Sequence, residues 1–161
     1  MKALVVYETF FGNTEKIAQA IGNALATQAD VRVLRVSDAQ PAHLTGIGLL
    51  VVGAPTRAFS PGPATKAWLK TLTPNSLRRV KVAAFDTRIA LADVKSSILP
   101  VFVKLFGYAA EPIARSLAQR GGSLIIPAEG FFVKDTEGPL KDGELERAAA
   151  WARQIVARLK V

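Results

Sequence analysis

Residues 3–21 read ALVVYETFFGNTEKIAQAI. The uninterrupted apolar run Ala3-Leu4-Val5-Val6-Tyr7 passes through Thr9-Phe10-Phe11-Gly12-Asn13-Thr14 into a segment where Ile17, Ile21 and Leu25 share one helical face. A strand that is apolar on both faces lies between two layers, as in a parallel sheet with helices on either side. Three more runs of this kind follow: Ile47–Gly53, Val80–Phe85 and Ser123–Ile126. A fifth, Val31–Val36, alternates Val with Arg and Leu and fits a sheet edge. Strands separated by helical segments predict an α/β fold with a parallel sheet.

The helices carry their own signals. Pro63 opens a second helix bearing Trp68, Leu69 and Leu72. Near the C-terminus, Asp142 is placed to cap a helix with the inner stripe Ala148, Trp151, Ile155 and Leu159. Its first turn holds Glu144 and Glu146 and its last Arg158 and Lys160, the order the helix dipole favours. Trp68 and Trp151 are read as core residues and His43 as a surface residue. The segment between Asp86 and Gly107 is longer than a simple βα loop and too apolar for a solvated one. Within it Ile98, Phe102 and Leu105 share a helical face, read as a short helix packed on the domain, with a dimer contact or a lid as the alternatives.

Composition narrows the chemistry. A chain of 161 residues, 50% apolar, is the size of one domain, here residues 1–161. There is no run of about 18 apolar residues and no signal-peptide pattern at the start, so a soluble, cytoplasmic protein is expected. The absence of cysteine excludes disulfides, thiolate nucleophiles and cysteine-ligated clusters, and a single histidine leaves little for a zinc site. The net charge of +8 is spread along the chain without aromatic interleaving, which fits a solvated basic surface better than nucleic-acid binding.

The loop at residues 9–14 sits where open parallel sheets bind ligands, beyond the carboxyl end of a strand. The helix that follows offers unpaired N–H groups and a partial positive charge; Thr9 and Thr14 add hydroxyls, Asn13 an amide, and Gly12 a close backbone approach. An anion cradle built in this way needs no lysine. Neither G-x-G-x-x-G nor G-x-x-x-x-G-K-[ST] occurs, so neither common nucleotide cradle is supported. A second loop, Ala54–Gly62, places Pro55, Thr56, Arg57 and Phe59 at the neighbouring strand end, and a third begins Asp86-Thr87-Arg88.

With Gly12-Asn13-Thr14-Glu15-Lys16-Ile17-Ala18 and Val52-Gly53-Ala54-Pro55-Thr56 in place, nearly the whole chain resembles the flavodoxins and flavodoxin-like proteins. The resemblance implies a three-layer sandwich on a five-stranded parallel sheet of order 2-1-3-4-5, with FMN as cofactor. Carried over by position, the phosphate site is Thr9, Phe10, Phe11, Gly12, Asn13 and Thr14. The ring site is Pro55, Thr56, Arg57, Ala58 and Phe59 on one side and Asp86, Thr87 and Arg88 on the other. Arg57 fits either a flavin contact or a solvated loop arginine. Phe11 replaces a hydroxyl residue common in the family's loop, and the basic charge departs from the acidic electron carriers. Arginines beside the flavin favour its anionic reduced form, so a less strongly reducing flavin is expected. The implied role is electron transfer with redox partner proteins, acidic ones if charge steers them. The alternatives are an FMN-dependent quinone or porphyrinogen oxidoreductase and a binding domain that has lost FMN, with a homodimer through Ile98–Phe106 as a further expectation.

Overall fold

A computed structural model describes residues 1–93 and 107–160. The expectations for Ile98–Phe106 lie outside the described residues. Strands β1 (Lys2–Tyr7), β2 (Asp30–Arg35), β3 (Ile47–Pro55), β4 (Lys81–Ile89), β5 (Ser123–Leu124) and β6 (Glu129–Val133) form one parallel sheet. Its order is β2-β1-β3-β4-β5, with β6 also paired to β4. The fifth position is therefore shared: β5 pairs with the start of β4, and β6 with its end, Phe85–Ile89. The expected strand over Ser123–Ile126 ends two residues early as a regular ladder. Pro127 follows, with no N–H to donate, and pairing resumes only at Glu129.

Four α-helices are present among the described residues: α1 (Asn13–Leu25), α2 (Pro63–Thr71), α3 (Ala110–Gln119) and α4 (Glu144–Leu159). Side chains alternate across the strands and divide the core in two. Val5, Tyr7, Val51, Phe85 and Phe131 face α1 and α4, where they meet Ile17, Ile21, Leu25, Trp151 and Ile155. Leu4, Val6, Leu50, Val52 and Ala84 face the other way onto Trp68 and Leu69 of α2 and Ile113 and Leu117 of α3. Both faces of the central strands are covered, which is why they read as continuous apolar runs. Trp68 and Trp151 are both core residues, and Trp68 Nε1 donates to Ala39 O at 3.0 Å.

At Gly53 a side chain has no room. It pairs with Phe85 on β4, and a Cβ there would come within 2.0 Å of the Phe85 ring. The Phe85 ring uses that space to meet Phe131 and Trp151 edge-on, with centroids 6.0 and 6.3 Å away.

Asp142 does not cap α4. The residue before the helix is Gly143 at φ 83°, a left-handed entry made without a side-chain cap, and the Asp142 side chain points into solvent beside Lys134. The anchoring group is Glu144. Its carboxylate accepts the Phe132 N–H at 2.7 Å and both Nε and Nη2 of Arg147, which also donates to Gly130 O. This ties the start of α4 to the end strand β6. Burial alone would raise the Glu144 carboxyl, but Arg147 and the Phe132 N–H outweigh it and hold it below its ordinary value of 4.5. A carboxyl lowered in the folded state stabilises the fold above pH 4.5 and loses that contribution as pH falls through the folded value. Glu144→Ala is expected to cost about 2 kcal/mol at neutral pH. In urea unfolding followed from pH 7 to pH 3, the gap between wild type and Glu144→Gln should shrink below pH 4.5; a pH-independent gap would show that the ionised carboxylate is not what holds α4.

Candidate functional site

The carboxyl ends of β1, β3, β4 and β6 surround a cleft of about 250 Å³. Its walls are Thr9, Phe10, Phe11, Asn13 and Thr14 from the first loop, Pro55, Thr56, Arg57 and Ala58 from the second, and Thr87, Arg88 and Ile89 from the third. Val133 and Thr136, beyond β6, complete it. Of the residues expected here, Gly12, Phe59 and Asp86 do not line the cleft, while the other eleven do.

The first loop is built around the start of α1. Gly12, at φ 87°, precedes the helix without a side-chain cap, a conformation that favours glycine. Its N–H donates to Thr9 Oγ1 at 3.0 Å, which closes the loop and leaves the Thr9 hydroxyl proton to be donated elsewhere. Thr14 is buried, its hydroxyl 2.7 Å from that of Thr87 on β4. Asn13 Nδ2 donates to Glu137 O at 3.0 Å, so that amide is spent on the loop after β6. Glu15, in the first turn, is held by the Tyr7 hydroxyl at 2.7 Å and by Arg35 at 3.1 Å. Both interactions keep its carboxyl below the ordinary range.

Carboxylates meet the neighbouring helix starts. Glu8, immediately after β1, reaches across to α2: its oxygens accept from Ala64 N at 3.3 Å, Thr65 N at 3.0 Å and the Thr65 hydroxyl at 2.6 Å. Gly62 makes room for it, since a Cβ there would lie 2.4 Å from a Glu8 oxygen. Asp86, fully buried within β4, accepts Ala110 N at 2.9 Å at the start of α3. Arg88 grips the same carboxylate in bidentate fashion, Nε at 2.6 Å and Nη2 at 2.7 Å. The guanidinium then lies 3.6 Å over the Tyr108 ring and against Gly130, where a Cβ would come within 2.2 Å of it. Burial holds the Asp86 carboxyl above its ordinary value, with Arg88 and the Ala110 N–H pulling it part of the way back down. Asp86 is thus a buried anchor, and it neutralises Arg88 at the cleft wall.

Arg57 is different. It is exposed, its guanidinium lies 4.8 Å over the Phe10 ring, and no carboxylate among the described residues is paired with it. Its loop closes on itself, with Arg57 N to Ser60 O at 2.8 Å and Ser60 N to Arg57 O at 3.0 Å. Both residues inside that turn, Ala58 and Phe59, have positive φ, 46° and 65°, where Asn-Gly is the usual choice.

Sequence reasoning missed Ile89, Val133 and Thr136, the Glu8 cap and the Tyr108 platform. The Glu137-Gly138-Pro139 turn after the apolar Phe131-Phe132-Val133 was a usable signal for the loop beyond β6.

No protein-family model matches the chain, and no curated protein does. Solved structures do. Oxidised flavodoxin 1 from Bacillus cereus superposes with a TM-score of 0.76 at 15% identity over 98% of each chain. A flavodoxin from the domain Archaea gives 0.75 at 22% identity over 100% of each. The rubredoxin oxygen:oxidoreductase of Desulfovibrio gigas gives 0.71 at 17% identity, with 99% of this chain covering 37% of that one. The chain has the flavodoxin-like fold.

The Asp86 anchor is testable. Asp86→Ala strands the Arg88 guanidinium and the Ala110 N–H and is expected to cost about 3–5 kcal/mol in urea unfolding. Replacing both charges, Asp86→Leu with Arg88→Met, should cost less than Asp86→Ala alone. A loss under about 1 kcal/mol for Asp86→Ala would mean the pair is not what holds this wall.

Proposed function

We propose that the protein binds FMN in this cleft and carries electrons between a reductase and an acceptor, as a single domain in the cytoplasm. The observation that carries the reading is the start of α1: an uncapped helix N-terminus opening a cleft with five threonines in its walls. Such a terminus favours a phosphate monoester. The residues fit the group. Thr9 keeps a hydroxyl proton to donate, the Thr14–Thr87 pair keeps one more, and the Asp86 and Glu8 carboxylates that would repel a phosphate are tied to other helices. The cleft volume lies just below the ~300–1,000 Å³ usual for small-molecule sites, which suits a ligand that leaves one edge in solvent.

When bound, FMN supplies the electron-transfer chemistry; the protein supplies binding, shielding and charge. Pro55, Thr56, Arg57 and Ala58 form one wall for the ring, and Thr87, Arg88 and Ile89 another. With Arg88 neutralised by Asp86, Arg57 is the unpaired cation among the described residues that line the cleft, and it acts on a reduced flavin and on an approaching partner. Its exposure, beside the exposed Phe10 and Phe11, supports docking of an acidic redox protein through an aromatic and cationic rim.

Titrating cofactor-stripped protein with FMN and following quenching of flavin fluorescence tests the binding. Saturation at micromolar or tighter affinity is expected, weakened about tenfold in Thr14→Ala through loss of a hydroxyl near the phosphate. A folded protein that leaves FMN fluorescence unchanged would overturn the proposal. In the loaded protein, Arg57→Gln is expected to lower the potential of the second electron step by about 30–60 mV, where 59 mV is a tenfold change for one electron. An unchanged potential would remove Arg57 from the flavin's surroundings.

A further inference from the structure

Five threonines line the cleft: Thr9, Thr14, Thr56, Thr87 and Thr136. The first four already take part in internal hydrogen bonds. Thr9 Oγ1 accepts from Gly12 N, Thr14 and Thr87 bond each other, and Thr56 Oγ1 accepts from Ala109 N at 3.0 Å. The Thr136 hydroxyl is in no hydrogen bond among the described residues. Its backbone N–H is taken by Asp135 Oδ1 at 2.7 Å, which leaves the side-chain oxygen uncommitted.

The loop that carries Thr136 is built rather than slack. At its base Lys134 N donates to Pro139 O and Lys141 N to Phe132 O, each at 2.8 Å, and Val133 bridges Leu140. At its tip Gly138 N donates to Asp135 O at 2.9 Å. Asn13, the first residue of α1, pins the loop through Glu137 O. Gly138 is fitted to that contact: at φ 101° it has no Cβ, and one placed there would lie 2.6 Å from Asn13 Nδ2. The loop is thus fastened to the helix terminus that faces the cleft. Asp135, Thr136 and Glu137 are all exposed, so the Thr136 hydroxyl is open to solvent and to a ligand at the mouth of the cleft, with the two carboxylates on either side of it in sequence.

We infer that Thr136 is a phosphate-binding residue of this site, donating its hydroxyl to the terminal phosphate of the flavin, and that Asn13 is the positioning residue that sets it there. The inference rests on the FMN reading above. It makes the 134–139 loop a fourth wall of the phosphate end and gives that end a hydroxyl donor from outside the first loop. It also makes recognition of the phosphate a property of two distant segments, residues 9–14 and 134–139, brought together by one side-chain amide.

Parallel titrations with FMN and with riboflavin, which lacks the phosphate, separate the possibilities. Thr136→Ala is expected to weaken FMN about tenfold, the loss of one hydrogen bond to a charged group, with riboflavin affinity unchanged. Thr136→Ser should restore most of the loss. In an Asn13→Ala background, Thr136→Ala should add little further, because the hydroxyl is already misplaced. If Thr136→Ala weakens FMN and riboflavin equally, its role is structural and the inference fails. If FMN binds wild type and Thr136→Ala alike, it fails while the FMN reading stands. Full additivity with Asn13→Ala overturns the positioning role, and wild type that binds neither flavin overturns both readings.

Discussion

The start of a helix leaves N–H groups that its own backbone cannot satisfy, and the way these are met organises this edge of the protein. Glu8, just after β1, closes α2 and Asp86, within β4, closes α3, each at hydrogen-bond distance. Glu144, in the first turn of α4, turns back onto Phe132 N and Arg147 instead. At α1 the acidic residue of the first turn, Glu15, is drawn toward Tyr7 and Arg35. The same carboxylates that stabilise their own helices are thereby held off the α1 terminus. Acids free to swing toward the α1 terminus would repel an anion; the buried carboxylates of Glu8 and Asp86 are fixed in bonds whose loss would leave buried groups unpaired.

That arrangement also sorts the cations. Arg88 and Arg57 look equivalent in sequence, one at each expected flank of a ligand, but their electrostatic effects differ. Arg88 sits with its charge matched by a fully buried carboxylate and its face covered by Tyr108, so its guanidinium is a flat, rigid part of the wall with little net field. Arg57 keeps its charge, since a neutral aromatic face steadies it without cancelling it. The stacking also joins the first loop to the second, so one contact both orients the cation and links the two segments.

The parts legible in the sequence are those set by local pattern. The continuous apolar strands, the helical stripe of Ile17, Ile21 and Leu25, and the Pro63 start follow from burial and backbone preference within a few residues, and the structure has them. What escaped depends on partners far apart in the chain. Glu8 meets its helix more than fifty residues on, and Asn13 meets Glu137 across 124 positions. Asp86 reads as the start of a loop because it follows an apolar run, yet the strand continues to Ile89 and carries it into the interior. Asp142 failed as a cap for a local reason of a different kind: Gly143 adopts a left-handed entry that sends the preceding side chain outward. The 134–139 loop was hidden by the break at Pro127, which divides the last strand position and displaces its end to residues that do not adjoin the first half in sequence.

The net charge of +8 acts on partners in a more restricted way than its size suggests. At physiological ionic strength the screening length is about 8 Å, so most of a basic surface distributed over the chain is invisible to a protein approaching one end of the sheet. What such a protein meets is the rim itself. There the ion pairs Asp86–Arg88 and Glu15–Arg35 are internally balanced, and the aromatic rings of Phe10 and Phe11 are exposed around Arg57. Among the described residues that line the cleft, Arg57 is the cation without a carboxylate partner, and it stands beside a small apolar surface. On the electron-carrier reading proposed above, this combination favours brief, salt-sensitive encounters over a permanent complex.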